Sequence, residues 1–173
     1  MDYSRIIYFD MDGVLANFDQ GVIDLLHMTP HKQGVGPFDY KHVNELYAKM
    51  REVDHFYGQL KPIPEAVQLF IELHAMYGNA VQILSAVPRP HRGIITAKDD
   101  KIDWVKREIS SDVIVNICYR KDKASFCKGK DFILIDDYDK NINEWEALGG
   151  TGILYDNIEN VKKALNDILK IKL

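Results

Sequence analysis

Two apolar runs in this chain each end in carboxylates. Ile6-Ile7-Tyr8-Phe9 leads into Asp10-Met11-Asp12-Gly13, and Phe132-Ile133-Leu134-Ile135 leads into Asp136-Asp137. Both runs read as strands, so Asp10, Asp12, Asp136 and Asp137 stand at strand ends. Like charges at a shared site repel and drive protonation unless something positive lies between them. The simplest resolution is a hard divalent cation with oxygen ligands, and Mg²⁺ is the expected ion. A carboxylate at a strand end beside such an ion is placed to attack phosphorus.

The rest of the chain alternates strands with helices. Apolar residues at helical spacing mark helices over 17–28, 39–52, 64–77, 99–110, 139–148 and 157–170. In the helix over 99–110, Ile102, Val105 and Ile109 are expected to face inward, while Asp99 and Asp100 suit its N-terminal dipole. Strands are expected at 5–10, 81–85, 113–117, 132–136 and 152–155. Residues 29–38, with Pro30, Gly34, Gly36 and Pro37, read as a loop. Pro64 fits a first helical position, and Gly149-Gly150 reads as a helix stop rather than a phosphate loop, because a strand follows. This alternation implies an α/β three-layer sandwich with a central parallel, Rossmann-like sheet covered on both faces. In such sheets ligands bind at the carboxyl ends of the strands, where Asp10, Ser85 and Asp136 all fall. The two helices directly after the first acidic motif interrupt the alternation and read as a small helical cap. The expected organisation is a core of residues 1–15 and 61–173, with a cap over 16–60.

Composition narrows the function classes. A length of 173 residues suits one core domain with a modest insertion, and a hydrophobic content of 46% supports a real core. The net charge of −4 argues against a stable nucleic-acid partner. No apolar run is long enough to span a membrane. Residues Met1 to Arg5 lead straight into the first strand without a signal peptide, so a cytoplasmic location is expected. Cys118 and Cys127 form no metal-ligand pattern and read as reduced thiols. The six histidines read as structural or exposed, and Trp104 reads as core.

Asp10-x-Asp12-Gly13-Val14, Ser85 after a strand, Lys123 and Asp136-Asp137, in that order, closely resemble the haloacid dehalogenase superfamily of phosphotransferases. Asp10-Met11-Asp12-Gly13-Val14-Leu15-Ala16-Asn17-Phe18, Leu60-Lys61-Pro62-Ile63-Pro64-Glu65-Ala66, Trp104-Val105, Arg120-Lys121-Asp122-Lys123 and Leu134-Ile135-Asp136-Asp137 resemble the 5′(3′)-deoxyribonucleotidase family more closely. The likeness spans nearly the whole chain. Asn17 stands where an acid is common in that family, and the cap sequence is shorter.

The resemblance implies a Mg²⁺-dependent phosphomonoester hydrolase acting on deoxyribonucleoside monophosphates. Asp10 would be the nucleophile that forms an aspartyl-phosphate, and Asp12 the general acid and base. Ser85 would bind a phosphoryl oxygen, and Lys123 would neutralise charge on the phosphoryl group and on Asp10. Lys121 and Lys128 are the competing candidates for Lys123. Asp10, the backbone carbonyl of Asp12, Asp136 and Asp137 would complete the metal site, one of the last pair ligating directly. Arg89 is a candidate for the phosphate side, and Phe18 is either cap core or a platform for a base. The partner implied is a small nucleoside monophosphate, with a homodimer as the assembly left open. Two alternatives remain: a phosphatase of the same superfamily acting on another small phosphate or a polynucleotide 3′-end, and a non-catalytic nucleotide-binding module.

Overall fold

The strand β1 (Ile6–Phe9) lies at the centre of a five-stranded sheet. The computed structural model describes residues 5–30 and 39–173. The strands β2 (Val81–Ala86), β3 (Val115–Cys118), β4 (Phe132–Asp136) and β5 (Thr151–Leu154) complete the sheet in the order β3-β2-β1-β4-β5, with every pairing parallel. The chain winds outward from β1 in two directions, first to β2 and β3, then back to β4 and β5. The reversal leaves a crevice at the carboxyl ends of β1 and β4, where α/β sheets bind ligands.

The helices are α1 (Phe18–Leu26), α2 (Tyr40–Met50), α3 (Pro64–Tyr77), α4 (Ala97–Glu108), α5 (Asp139–Glu146) and α6 (Ile158–Leu169). Alternation along β1 divides the core between the two faces of the sheet. Ile7 and Phe9 join Ile83, Ile133 and Ile135 in a cluster with Phe70 of α3, Trp104 of α4 and Leu165 of α6. Ile6 and Tyr8 join Leu84, Leu134, Ile142 and Trp145 on the opposite face. Trp104 is fully buried, as expected, and its indole donates to the Leu60 carbonyl at 2.7 Å. Burying a large apolar side chain contributes about 1.5–3 kcal/mol, so both faces stabilise the central strands.

Local chemistry sets several ends. Pro64 occupies the first turn of α3. Asn17 caps α1, its side-chain oxygen accepting from Gln20 N at 3.0 Å. Gly149 turns the chain at φ 80° between α5 and β5, the helix stop expected there. Of the expected loop 29–38, residues 31–38 lie outside the described residues. Short 3₁₀ turns at Phe56–Gln59 and Arg120–Phe126 were not foreseen.

Helix α4 departs from expectation. It starts and ends two residues earlier than 99–110, and its buried face is Ala97, Asp100, Lys101, Trp104 and Val105. Asp99 and Asp100 both stand in its first turn, as expected, but Asp100 is not solvated. It is buried, accepting from Thr96 Oγ1 at 2.8 Å and pairing with His55 Nδ1 at 2.6 Å. His55 has a left-handed backbone, φ 52°, and that pairing raises its pKa above the ordinary imidazole value.

The segment between β1 and α3 leaves and returns at one point. Asn17 N donates to Lys61 O at 2.8 Å, Ile63 N donates to Leu15 O at 2.8 Å, and Ala16 bridges to Pro62. Its residues Val22, Leu26, Met50, Phe56, Tyr57 and Leu60 share one apolar cluster with β1.

Candidate active site

The sheet register brings two distant aspartates together. Phe9 pairs with Ile135, and Asp10 N donates to Ile135 O at 2.9 Å. The side chains following these residues therefore emerge side by side. Asp10, Asp136 and Asp137 each offer a carboxylate oxygen within 4.8 Å of the others. Gly13, at φ 75°, turns the chain away from the strand. A Cβ on Gly13 would run into the Asp137 carboxylate, so glycine is needed for the turn and for the close approach alike.

Lys123 reaches the site from the 3₁₀ turn after β3. It is 2% exposed, and its Nζ donates to Asp136 Oδ2 at 2.7 Å and lies 3.0 Å from Asp10 Oδ1. Burial alone would lower its pKa, but the charges of Asp10 and Asp136 outweigh that and raise it, so the ammonium persists. The two competing lysines lie elsewhere: Lys121 is exposed, and exposed Lys128 donates to Ser125 O at 2.7 Å.

Asp136 and Asp137 differ sharply. Asp136 is fully buried, and both its oxygens are occupied. Oδ1 accepts from Tyr138 N at 2.9 Å and Asn141 Nδ2 at 3.1 Å; Oδ2 accepts from Lys123 and from Asn141 Nδ2 at 3.0 Å. Burial, and then the charge of Asp10, raise its pKa against the pull of Lys123. Asp137 keeps an exposed outer side. Its pKa is raised to about 8 by withdrawal from water and by Asp10, Asp136 and Asp12. The open side weakens the first cause, whereas the repulsion from three nearby carboxylates persists.

Sequence reasoning missed Lys101. Its side chain is fully buried, and its Nζ donates to Asp12 Oδ2 at 2.6 Å, Ser85 Oγ at 2.9 Å and the Ala86 carbonyl at 2.8 Å. It also lies 4.5 Å from the centre of the Tyr57 ring, a cation–π contact. The signal was available: Lys101 lies three residues before Trp104 and four after Ala97, on the inward stripe of α4. Because Ser85 Oγ accepts from this ammonium, the hydroxyl hydrogen stays available to donate elsewhere. Asp12 has a raised pKa, from burial first, opposed by Lys101 and supported by Asp10; about a quarter of its side chain, 26%, stays exposed.

The outer candidates are placed differently. Phe18, half-buried, packs against Phe56 and Tyr57, with ring centroids 5.7 and 6.3 Å away. Arg89 is exposed, its guanidinium 4.4 Å over the Tyr119 ring. Arg92, three residues on, ties its loop to α2 instead: it donates to Asn44 Oδ1 at 2.8 Å and stacks 4.7 Å over Tyr47.

The donor set suits a hard cation. All ligating atoms are oxygens. Buried Asp10 Oδ1 accepts no hydrogen bond among the described residues and has only its 3.0 Å ion pair with Lys123. Buried acceptors of this kind call for a positive partner.

Comparison with known proteins agrees with this architecture. Residues 4–170 match the model of the family described as "5' nucleotidase, deoxy (Pyrimidine), cytosolic type C protein". A protein of Bordetella pertussis named "Putative 5'(3')-deoxyribonucleotidase" is 31% identical over 130 residues, covering 69% of this chain and 68% of its own. The fold is shared with a hydrolase from Pseudomonas syringae (TM-score 0.55, 15% identity, 98% of this chain and 100% of the other). It is shared too with a "putative haloacid dehalogenase-like hydrolase" from Burkholderia xenovorans LB400 (TM-score 0.51, 15% identity, 88% and 84%). With its aspartates and lysines gathered at the switch point of a parallel sheet, this chain belongs to the cytosolic type C deoxy-5′-nucleotidase family and is a phosphatase of nucleotidase type.

Proposed function

We propose that the protein hydrolyses deoxyribonucleoside monophosphates in a Mg²⁺-dependent reaction through an aspartyl-phosphate. The observation that carries this reading is the placement of Asp10 between Lys123, 3.0 Å away, and the Asp136–Asp137 pair. Asp10 attacks phosphorus and the bond to the nucleoside oxygen breaks. Asp12, whose pKa burial raises against the pull of Lys101, gives its proton to the leaving alkoxide. Asp12 then takes a proton from the water that attacks the aspartyl-phosphate, and inorganic phosphate leaves. Lys123 and the Ser85 hydroxyl stabilise charge on the phosphoryl oxygens. Lys101 holds Asp12 and Ser85 in a fixed relation.

Asp10, the Asp12 carbonyl and Asp137 would hold the Mg²⁺, with Asp136 committed to Lys123. When bound, the ion neutralises the carboxylates and polarises a phosphoryl oxygen. Residues 16–60 act as the cap, closed on the core at the Asn17–Lys61 neck. Phe18 offers its half-exposed ring as a base platform beside Phe56 and Tyr57, and Arg89 meets the phosphate side.

The test is a panel of deoxyribo- and ribonucleoside monophosphates, sugar phosphates, a 3′-phosphorylated oligonucleotide and p-nitrophenyl phosphate, each with Mg²⁺ and with EDTA. Highest kcat/KM on deoxyribonucleoside monophosphates, abolished by EDTA and restored by Mg²⁺, is the expected result. Preference for another phosphate would overturn the substrate, and full activity in EDTA would overturn the metal.

A further inference from the structure

Resting on the phosphatase reading above, we propose that Asn141 is a positioning residue for the reaction, held in its working orientation by Arg120 and Glu144. Asn141 is 6% exposed, on the first turn of α5. Its Nδ2 donates to both oxygens of Asp136, at 3.1 and 3.0 Å. Asp136 in turn receives Lys123, which lies against Asp10. Asn141 therefore acts on the nucleophile through two intermediates.

Chemistry fixes the orientation of its amide. Arg120 Nη1 donates to Asn141 Oδ1 at 3.2 Å, and a guanidinium can only donate. The oxygen must then face Arg120, which leaves the NH₂ for Asp136. Arg120 is itself fixed by Glu144, through two bonds of 3.0 and 3.2 Å. Asn141 and Glu144 are three residues apart, on one face of α5. Arg120 opens the 3₁₀ turn that carries Lys123. The network thus holds the Asn141 amide against Asp136, on the helix that follows the Asp136–Asp137 pair. Without it, Asp136 keeps only Tyr138 N and Lys123, and nothing stops its carboxylate from rotating and drawing Lys123 away from Asp10.

The test compares Asn141→Ala, Arg120→Ala and the double variant with wild type, by steady-state kinetics with Mg²⁺ and by thermal melting. Loss of an outer hydrogen-bonding partner at such a centre typically costs about 10–100-fold. Asn141→Ala is expected to lower kcat in that range with KM nearly unchanged. Arg120→Ala is expected to lower kcat less, and to add nothing in the Asn141→Ala background, because it acts through Asn141. Asn141→Asp keeps the shape and strengthens the Arg120 contact but sets a carboxylate against Asp136, so it is expected to lose at least as much kcat as Asn141→Ala. Additive losses, wild-type kcat in Asn141→Ala, or wild-type kcat in Asn141→Asp would each overturn the proposal. An inactive wild-type enzyme would overturn the phosphatase reading instead. The crystal structure of Asn141→Ala then decides the positioning role: Asp136 and Lys123 unmoved would overturn it, and a turned Asp136 with Lys123 withdrawn from Asp10 would support it.

Discussion

The ammonium of Lys101 lies 2.6 Å from Oδ2 of Asp12, an ion pair between residues 89 positions apart, one at the end of β1 and one buried in α4. Lys101→Met keeps the stem and removes the charge, leaving Asp12, Ser85 and the Ala86 carbonyl without their common donor. Breaking a buried pair costs about 3–5 kcal/mol; the open side of Asp12 places the expected loss near the lower figure. Activity should fall about 10–100-fold, less than on loss of Asp12 itself, whose proposed acid function would be worth about 10²–10⁴-fold. A melting curve and kcat check both, and a variant as stable and active as wild type would remove Lys101 from the site.

Asp12→Asn should separate substrates by leaving group. The nucleoside alkoxide needs a proton and p-nitrophenolate does not, so the expected loss is about 10²–10⁴-fold on a nucleotide and smaller on p-nitrophenyl phosphate. The comparison is made in pre-steady-state phosphorylation rates. Equal losses in that step would count against the acid role.

Gly13→Ala should disable the proposed metal site. A left-handed backbone costs an alanine about 1–2 kcal/mol, and the new Cβ collides with the Asp137 carboxylate. The expected result is a lower melting temperature together with weakened Mg²⁺ binding by calorimetry. Normal Mg²⁺ affinity in a folded variant would show that Asp137 does not ligate.

Metal binding should depend on pH through Asp137. Its pKa rises from the ordinary aspartate value of 3.8 to about 8 on folding without metal. The folded state then holds more protons than the unfolded one, so this contribution to stability is fully present below about pH 4 and is lost as pH rises towards 8. Mg²⁺ requires the ionised carboxylate and removes the repulsion. The rise in melting temperature on adding Mg²⁺ should therefore grow from pH 5 to pH 8.5. A Mg²⁺-induced shift that is flat across that range would contradict it.

Phe18→Ala distinguishes a base platform from cap core. As a platform, Phe18 contributes about 1–3 kcal/mol of stacking, so KM for nucleotides should rise several-fold or more while p-nitrophenyl phosphate is little affected. Its ring is half-buried against Phe56 and Tyr57, so a modest fall in melting temperature is also expected. Equal losses on both substrates, with a fall approaching the about 3–5 kcal/mol of a fully buried Phe deletion, would leave Phe18 as core alone.

The strands, their parallel arrangement and the candidate carboxylates Asp10, Asp12, Asp136 and Asp137 were legible in the sequence, because each rests on a local pattern: an apolar run, a breaker, a carboxylate at a strand end. The inward stripe of α4 was legible as a period but not in full, since Asp100 and Lys101 are charged and reading by apolar residues alone passes over them. Only packing explains their burial: Asp100 finds His55 and Thr96, and Lys101 finds Asp12 and Ser85, partners lying from 4 to 89 residues away in the chain. The choice among Lys121, Lys123 and Lys128, and the difference between Asp136 and Asp137, were likewise decided in three dimensions. Neighbouring residues of one type are equivalent in a sequence, and become distinct only when the fold gives one a buried set of hydrogen bonds and leaves another facing water.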